Sequence, residues 1–268
     1  MTKIAVLGGG KIGEALISGL VASGHKPEDI IVTNRRAERG EELKSAYGVS
    51  TTSDNNEAVN GADYIFACVK PYAIISVLKE VSEDLNENSV VVSMAAGLPL
   101  EKLEAAVPSG TPVVRVMPNT PMLVRKGMNA CAAGTSATDE HLSGVTELLE
   151  CVGEVITVPE KDLNAVTALA GSAPAYYFLV TEALVDAGVN LGLTRDVATK
   201  LASATANGAG AMLVESGADP VELRANVSSP GGSTVAAVRE LEESGIRGAF
   251  YRAAQANVER SAELGDEN

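Results

Sequence analysis

The sequence predicts an α/β chain: a doubly wound, mostly parallel sheet in residues 1–158, followed by an all-helical region in residues 159–268. Three observations predict it. Short β-branched runs alternate with helical spacing over the first half, the signature of βαβ units and a parallel sheet. A glycine-rich turn joins the first such run to the first helical pattern. Beyond Pro159 the strand signal stops, and Ala- and Gly-rich helical patterns take over.

The candidate strands are residues 3–7, 30–33, 62–69, 89–93, 111–117, 128–132 and 154–158. Between the first two, Ile12, Ala15, Leu16, Gly19 and Leu20 recur at helical spacing, and Val77, Leu78, Val81 and Leu85 do so in a later crossover. In the second half, residues 198–211 carry an Ala-Asn-Gly-Ala-Gly-Ala run. Small residues on a helix let another helix approach closely. Packing within a bundle and packing between subunits both fit that pattern, because so narrow a layer has little core of its own.

Composition narrows the function. The 268 residues are 46% hydrophobic, enough to bury a core and to exclude disorder. Aromatics are 3% with no Trp, so the core is aliphatic and small. The net charge of −14 repels phosphate backbones, which argues against a nucleic-acid partner. With only ten lysines, the acidity also hints at a salt-adapted source. The three cysteines, Cys68, Cys131 and Cys151, are odd in number and lack CxxC spacing, as in a reducing cytosol. His25 and His141 are the only histidines, too few for a His-rich metal site. Residues 1–7 show no signal-peptide pattern, and no window approaches the roughly 18 apolar residues of a membrane span, so the expectation is a cytoplasmic protein without a membrane partner.

Gly8-Gly9-Gly10-Lys11-Ile12-Gly13 is a G-x-G-x-x-G string placed where it has meaning, after a strand and opening a helix. The first glycine permits the tight turn, the second lets backbone approach a pyrophosphate, and the third lets helix and strand pack. Gly8, Gly10, Lys11, Ile12 and Gly13 are therefore candidate cofactor residues; a purely structural turn is the alternative. After the second strand the chain reads Thr33-Asn34-Arg35-Arg36, with no carboxylate for a ribose 2′-hydroxyl. Asn34, Arg35 and Arg36 suit a 2′-phosphate instead, which favours NADPH over NADH, although a solvated Arg pair would read the same way. Two further strand ends, Cys68-Val69-Lys70-Pro71 and Ser93-Met94-Ala95-Ala96-Gly97, outline a groove where the nicotinamide would sit.

A second candidate site lies late in the chain, at Leu223-Arg224-Ala225-Asn226-Val227-Ser228-Ser229-Pro230-Gly231-Gly232-Ser233-Thr234. Hydroxyls flanking a glycine pair before a helix make a cradle for a small carboxylate, with an elaborate N-cap as the plain alternative. There is no catalytic His, no Ser/His/Asp set and no patterned carboxylate pair. Hydride addition to an electrophilic C=N needs little beyond positioning and a hydrogen bond to nitrogen, for which Thr234 is the candidate.

These residues resemble the pyrroline-5-carboxylate reductase family over essentially the whole chain. The resemblance is carried by the glycine loop, Val69-Lys70-Pro71, Arg115-Val116-Met117-Pro118-Asn119-Thr120-Pro121, Gly171-Ser172-Ala173-Pro174-Ala175-Tyr176, and Ser228-Ser229-Pro230-Gly231-Gly232-Ser233-Thr234. It implies reduction of 1-pyrroline-5-carboxylate to L-proline with NAD(P)H, the last step of proline biosynthesis. It also implies an N-terminal Rossmann domain and a helical dimerisation domain, in homodimers often assembled into decamers. Carried across by position, Asn55, Val69, Lys70, Pro71, Ala95, Ala96 and Gly97 become cofactor contacts. Ser229, Gly231, Gly232, Ser233 and Thr234 become the substrate carboxylate and ring-nitrogen site, with Asn226 and Glu160 lining the same pocket. Lys70 as a strand-end charge and Asn119 as a turn residue are the plain alternatives. One departure is Ala173, where the family usually has Gly. The competing activities are reduction of another cyclic imino acid, reduction of a 3-hydroxy acid relayed by Lys70, and a cofactor-binding sensor without catalysis.

Overall fold

The computed structural model of the chain describes residues 2–267. Two compact units result. One holds the residues up to Ser172 together with those from Asn257 onward, and the other is Ala173–Ala256.

The first unit is built on β1 (Ile4–Leu7), β2 (Ile30–Thr33), β3 (Ser50–Thr52), β4 (Tyr64–Ala67), β5 (Val90–Ser93), β6 (Val113–Met117), β7 (Gly127–Ala133) and β8 (Gly153–Thr157). Their order in space is β3-β2-β1-β4-β5-β6-β7-β8, and every neighbouring pair is parallel except β6 with β7. This is the mostly parallel α/β sheet that the alternating pattern predicts. β1 and β5 are buried at every residue, because helices cover both faces. Those helices are α1 (Lys11–Ala22), α2 (Ala37–Tyr47), α3 (Asn55–Val59), α4 (Pro71–Val81), α5 (Leu100–Glu104), α6 (Asp139–Glu150) and α7 (Leu163–Val166). Alternate residues feed two cores: Ile4, Val6, Leu16, Phe66 and Val92 on one face, Leu7, Ile65, Leu78 and Val91 on the other.

Seven strands coincide with the runs read from the sequence, and β3 does not. Ser50-Thr51-Thr52 is a short polar strand at the sheet edge, hydrogen-bonded only to β2, so it carries no apolar alternation. The direction of winding reverses between β1 and β4, and the crevice beyond their carboxyl ends is where such sheets take ligands. The strands end at Thr157, next to the boundary read at 158. The contacts of residues 159–172 nevertheless stay with the sheet, where Leu163 is fully buried.

The second unit contains α8 (Ala173–Asn190), α9 (Arg195–Glu215), α10 (Pro220–Asn226), α11 (Ser233–Glu243) and the first part of α12 (Ile246–Glu267). α8 and α9 approach closely at Gly188, where a Cβ would stand 3.0 Å from the Ala198 Cβ. The core of this unit is only Val185, Ala198 and Ala202. Tyr177, Phe178 and Leu179 on α8 are each 66% exposed in the single chain. The helical stretch Glu160–Asn190 runs 31 residues at hydropathy 1.2 with 17% of its apolar window buried. By length and composition alone that reaches what a membrane span needs, as helices that pack against other helices also do.

Candidate functional site

The glycine loop lies in the crevice at the carboxyl end of β1. Gly8 has φ +104, and a Cβ there would meet Val69 Cγ1 at 2.9 Å and the Cys68 carbonyl carbon at 3.2 Å. Only glycine lets the loop pass so close to the end of β4. At Gly13 a Cβ would collide with the Gly8 carbonyl oxygen, so α1 packs directly on the turn. Gly10, the N-cap of α1, has nothing within 4 Å of its Cβ position and no side-chain cap. The first-turn N–H groups, including those of Lys11, Ile12 and Gly13, therefore have no side-chain cap, and the positive end of the helix lies behind them.

An unforeseen side chain braces this loop. Arg39 donates from Nε to the Gly9 carbonyl at 3.0 Å and pairs with Glu14 and Glu42. Donating to Glu42, and then to Glu14, raises its pKa above the ordinary arginine value. Nothing local in the sequence marks Arg39, and only the packing of α2 brings it to the loop. Beyond β2, Asn34 sets its buried Nδ2 against Gly9 without a hydrogen-bond partner. Arg35 and Arg36 are exposed beside it. An orphaned donor, an open helix N-terminus and two free-standing guanidinium groups fit a dinucleotide with a 2′-phosphate.

The remaining cofactor candidates line the same edge of the sheet. Cys68 N bonds Leu7 O at 2.8 Å, carrying Val69 and Lys70 past the glycine loop. Lys70 is exposed at the N-cap of α4, and Pro71 supplies its first residue. Met94 N bonds Ala67 O at 3.1 Å, leading into buried Ala95, exposed Ala96 and Gly97, which has φ +81. Asn55 opens α3, with its amide nitrogen engaged by Glu80 at 3.2 Å. Opposite Gly97 stands the last turn of α12: Leu264 Cβ lies 3.6 Å from a Gly97 Cβ position, and Lys102 Nζ donates to Gly265 O at 2.9 Å.

Two residues of the resemblance are also hydrogen-bonded within the sheet unit. Asn119 spends both ends of its amide on backbone, accepting from Met128 N at 2.9 Å and donating to Ala170 O at 3.1 Å. Glu160 belongs to the sheet unit, where its Oε1 accepts from Leu100 N and from Arg115.

The late loop folds within the helical unit. Ser229-Pro230-Gly231-Gly232 makes a turn with Gly232 N bonded to Ser229 O at 2.9 Å, Pro230 second and Gly231 third at φ +70. That positive φ is why glycine stands there. Gly232 then caps α11 with no side chain, leaving the first-turn N–H groups for an outside acceptor. Ser228 is spent on Arg224 O at 2.7 Å, whereas Asn226, Ser229, Gly231, Ser233 and Thr234 are exposed around the turn. Arg247 and Arg224 converge on Glu242, and the Arg247 hydrogen bond holds that carboxyl below its ordinary pKa. The pair ties α10 and α11 to the start of α12.

Both histidines do local work: Ser23 Oγ lies 3.3 Å from His25 Nδ1, and His141 completes a capping box with Thr138. Burial pushes the Cys68 and Cys131 thiols up to about 12 and Cys151 to about 11. Among the described residues no cluster of three or more His, Cys, Asp or Glu is placed to hold a metal.

Residues 160–264 match the model of pyrroline-5-carboxylate reductase dimerisation, and residues 3–97 match that of coenzyme F420-dependent NADP oxidoreductases. The chain is 58% identical to a pyrroline-5-carboxylate reductase of Corynebacterium melassecola over 99% of both chains. It is 38% identical to that of Escherichia coli over 98% of both. Among solved structures it is similar to a pyrroline-5-carboxylate reductase of Coxiella burnetii, with a TM-score of 0.93 at 36% identity over 98% of both chains. It is also similar to a Plasmodium falciparum pyrroline carboxylate reductase with NADP bound, with a TM-score of 0.87 at 30% identity over 98% of both.

Proposed function

The chain belongs to the pyrroline-5-carboxylate reductase family, and on that premise we propose that it reduces 1-pyrroline-5-carboxylate to L-proline, the last step of proline biosynthesis, with NADPH in preference to NADH. The observation that carries the cofactor half is the open N-terminus of α1 at Gly10, with unpartnered Asn34 Nδ2 and the exposed Arg35–Arg36 pair beyond β2. Gly8, Gly10, Lys11, Ile12 and Gly13 would hold the pyrophosphate, and Arg35 and Arg36 the 2′-phosphate. Asn55, Val69, Lys70, Pro71, Ala95, Ala96 and Gly97 would line the rest of the groove. In this reading residues 1–158 serve the dinucleotide and residues 159–268 serve the substrate and the subunit contact.

When bound, reduced nicotinamide supplies a hydride to the carbon of the C=N bond. The chain's own part is placement. The free N–H groups at the start of α11, with Ser229, Gly231, Gly232 and Ser233, suit a small carboxylate. Thr234 donates to the ring nitrogen and Asn226 borders the turn. The proton that the ring nitrogen gains comes from solvent by way of the Thr234 hydroxyl, so no strong general acid is called for; His141 is occupied in a capping box and His25 lies beside Ser23.

The dimerisation match over residues 160–264 makes this an oligomer-forming chain. Exposed Tyr177, Phe178 and Leu179, over a core of three residues, support a homodimer that covers the apolar stretch Glu160–Asn190. The decamer is the larger assembly to look for by light scattering. Three free thiols support a cytoplasmic setting. The test of the activity is the loss of reduced-nicotinamide absorbance with 1-pyrroline-5-carboxylate, repeated with NADH. Turnover with a higher kcat/KM for NADPH is expected. Tight NADPH binding without turnover would overturn the reading.

A further inference from the structure

The loop of residues 94–99 carries Ala95, Ala96 and Gly97, and its exit is fixed from a distance. It ends at Leu100, the first residue of α5, whose N-cap, Pro99, has no side-chain hydrogen bond to offer. The missing acceptor comes from sixty residues on. Glu160 stands just past β8, in a single turn of 3₁₀ helix behind Pro159, and its Oε1 accepts from Leu100 N at 2.6 Å. The same oxygen accepts from Arg115 Nη1 at 2.9 Å. Arg115 projects from β6 with its side chain only 9% exposed, against 33% for Glu160. A guanidinium that deep requires a partner charge, and a carboxylate at a helix N-terminus interacts favourably with the helix dipole. The turn of the loop is held separately, by the contact of Gly97 with Leu264 and the Lys102–Gly265 bond.

We propose that Glu160, with Arg115, is a positioning residue for the 94–99 loop, acting on the nicotinamide end of the cofactor through Leu100 N and not on the substrate. This rests on the cofactor site assigned above. The electrostatics agree, since a carboxylate that shares its charge with Arg115 offers nothing that would attract the carboxylate of an anionic substrate.

The test compares Glu160→Gln, which keeps an acceptor for Leu100 N but removes the charge, with the double variant Arg115→Gln/Glu160→Gln, which leaves no charge unpaired if the single variant folds poorly. NADPH Kd is read by fluorescence, and KM for each substrate by steady-state kinetics. The expected result is an NADPH Kd and KM raised about tenfold, the difference between a charge-assisted and a neutral hydrogen bond, with KM for 1-pyrroline-5-carboxylate unchanged. Glu160→Asp should recover part of the loss. A purely structural role would lower Tm without splitting the two KM values. A raised KM for 1-pyrroline-5-carboxylate at unaltered NADPH Kd would overturn the proposal and return Glu160 to the substrate pocket. Failure of the wild-type chain to bind NADPH at all would overturn the cofactor assignment, and the proposal with it.

Discussion

Replacing Gly10 with Ala separates binding from folding. Gly10 sits at φ −73 and ψ −168, a conformation any residue adopts, and nothing lies within 4 Å of its Cβ position. Less freedom in the unfolded chain favours such a substitution by up to about 1 kcal/mol, and the poorer N-cap preference of Ala offsets a similar amount. The added methyl does fill the space in front of the α1 N–H groups where a pyrophosphate would enter. Displacing one phosphate oxygen removes a hydrogen bond to a charged group, about 1.5–3 kcal/mol. That converts to roughly a 10- to 150-fold rise in Kd. The expected outcome is a nearly unchanged Tm with NADPH affinity weakened by that factor in a fluorescence titration. Gly13→Ala is the contrasting case, because its Cβ meets the Gly8 carbonyl oxygen and lies 3.2 Å from Val6 Cγ1. Backbone cannot give way as a side chain can, so stability itself should fall by about 1–3 kcal/mol. A Gly10→Ala protein that binds NADPH like the wild type would refute the placement of the pyrophosphate.

Arg35→Ser/Arg36→Ser should raise KM for NADPH by about tenfold or more while leaving NADH nearly unaffected; equal losses for both coenzymes would argue that the pair is only solvated. Thr234→Ala should lower kcat with NADPH Kd retained, whereas a sensor without catalysis would show no rate to lose. The Cys68 and Cys131 thiols, raised from 9.0 to about 12, stay protonated in the folded chain near pH 8 and should resist alkylation until denaturant is added, as read by mass spectrometry. Because the folded values are the higher ones, the stability these thiols contribute is full below about pH 9 and is lost as pH climbs toward 12. Thermal melts of Cys131→Ala against wild type across that window should therefore converge at high pH.

Most of the sheet was legible because its central strands are unbroken apolar runs such as Ile4-Ala5-Val6-Leu7. β3 was not, since an edge strand of Ser and Thr advertises nothing in hydropathy. The glycine loop could be placed because its meaning depends only on neighbours in sequence. Arg39 and the Arg115–Glu160 pair act across 30 and 45 residues, and no local pattern encodes a partner that far away. The same limit applies at the boundary near 158. Strand periodicity does stop there, but Leu163 is held to the sheet by packing that periodicity does not report.

The sheet unit is discontinuous, with residues 173–256 interposed between its two segments, and the Lys102–Gly265 bond spans 163 residues of chain. On a ribosome adding about 5–20 residues per second, Lys102 therefore waits roughly 10–30 s for its partner. During that interval the glycine loop can already be folded while the loop at Gly97 lacks the helix that backs it. On the cofactor assignment proposed above, a half-made chain would hold the pyrophosphate of a dinucleotide before it could seat the nicotinamide, and competence for hydride transfer would arrive only with the last helix.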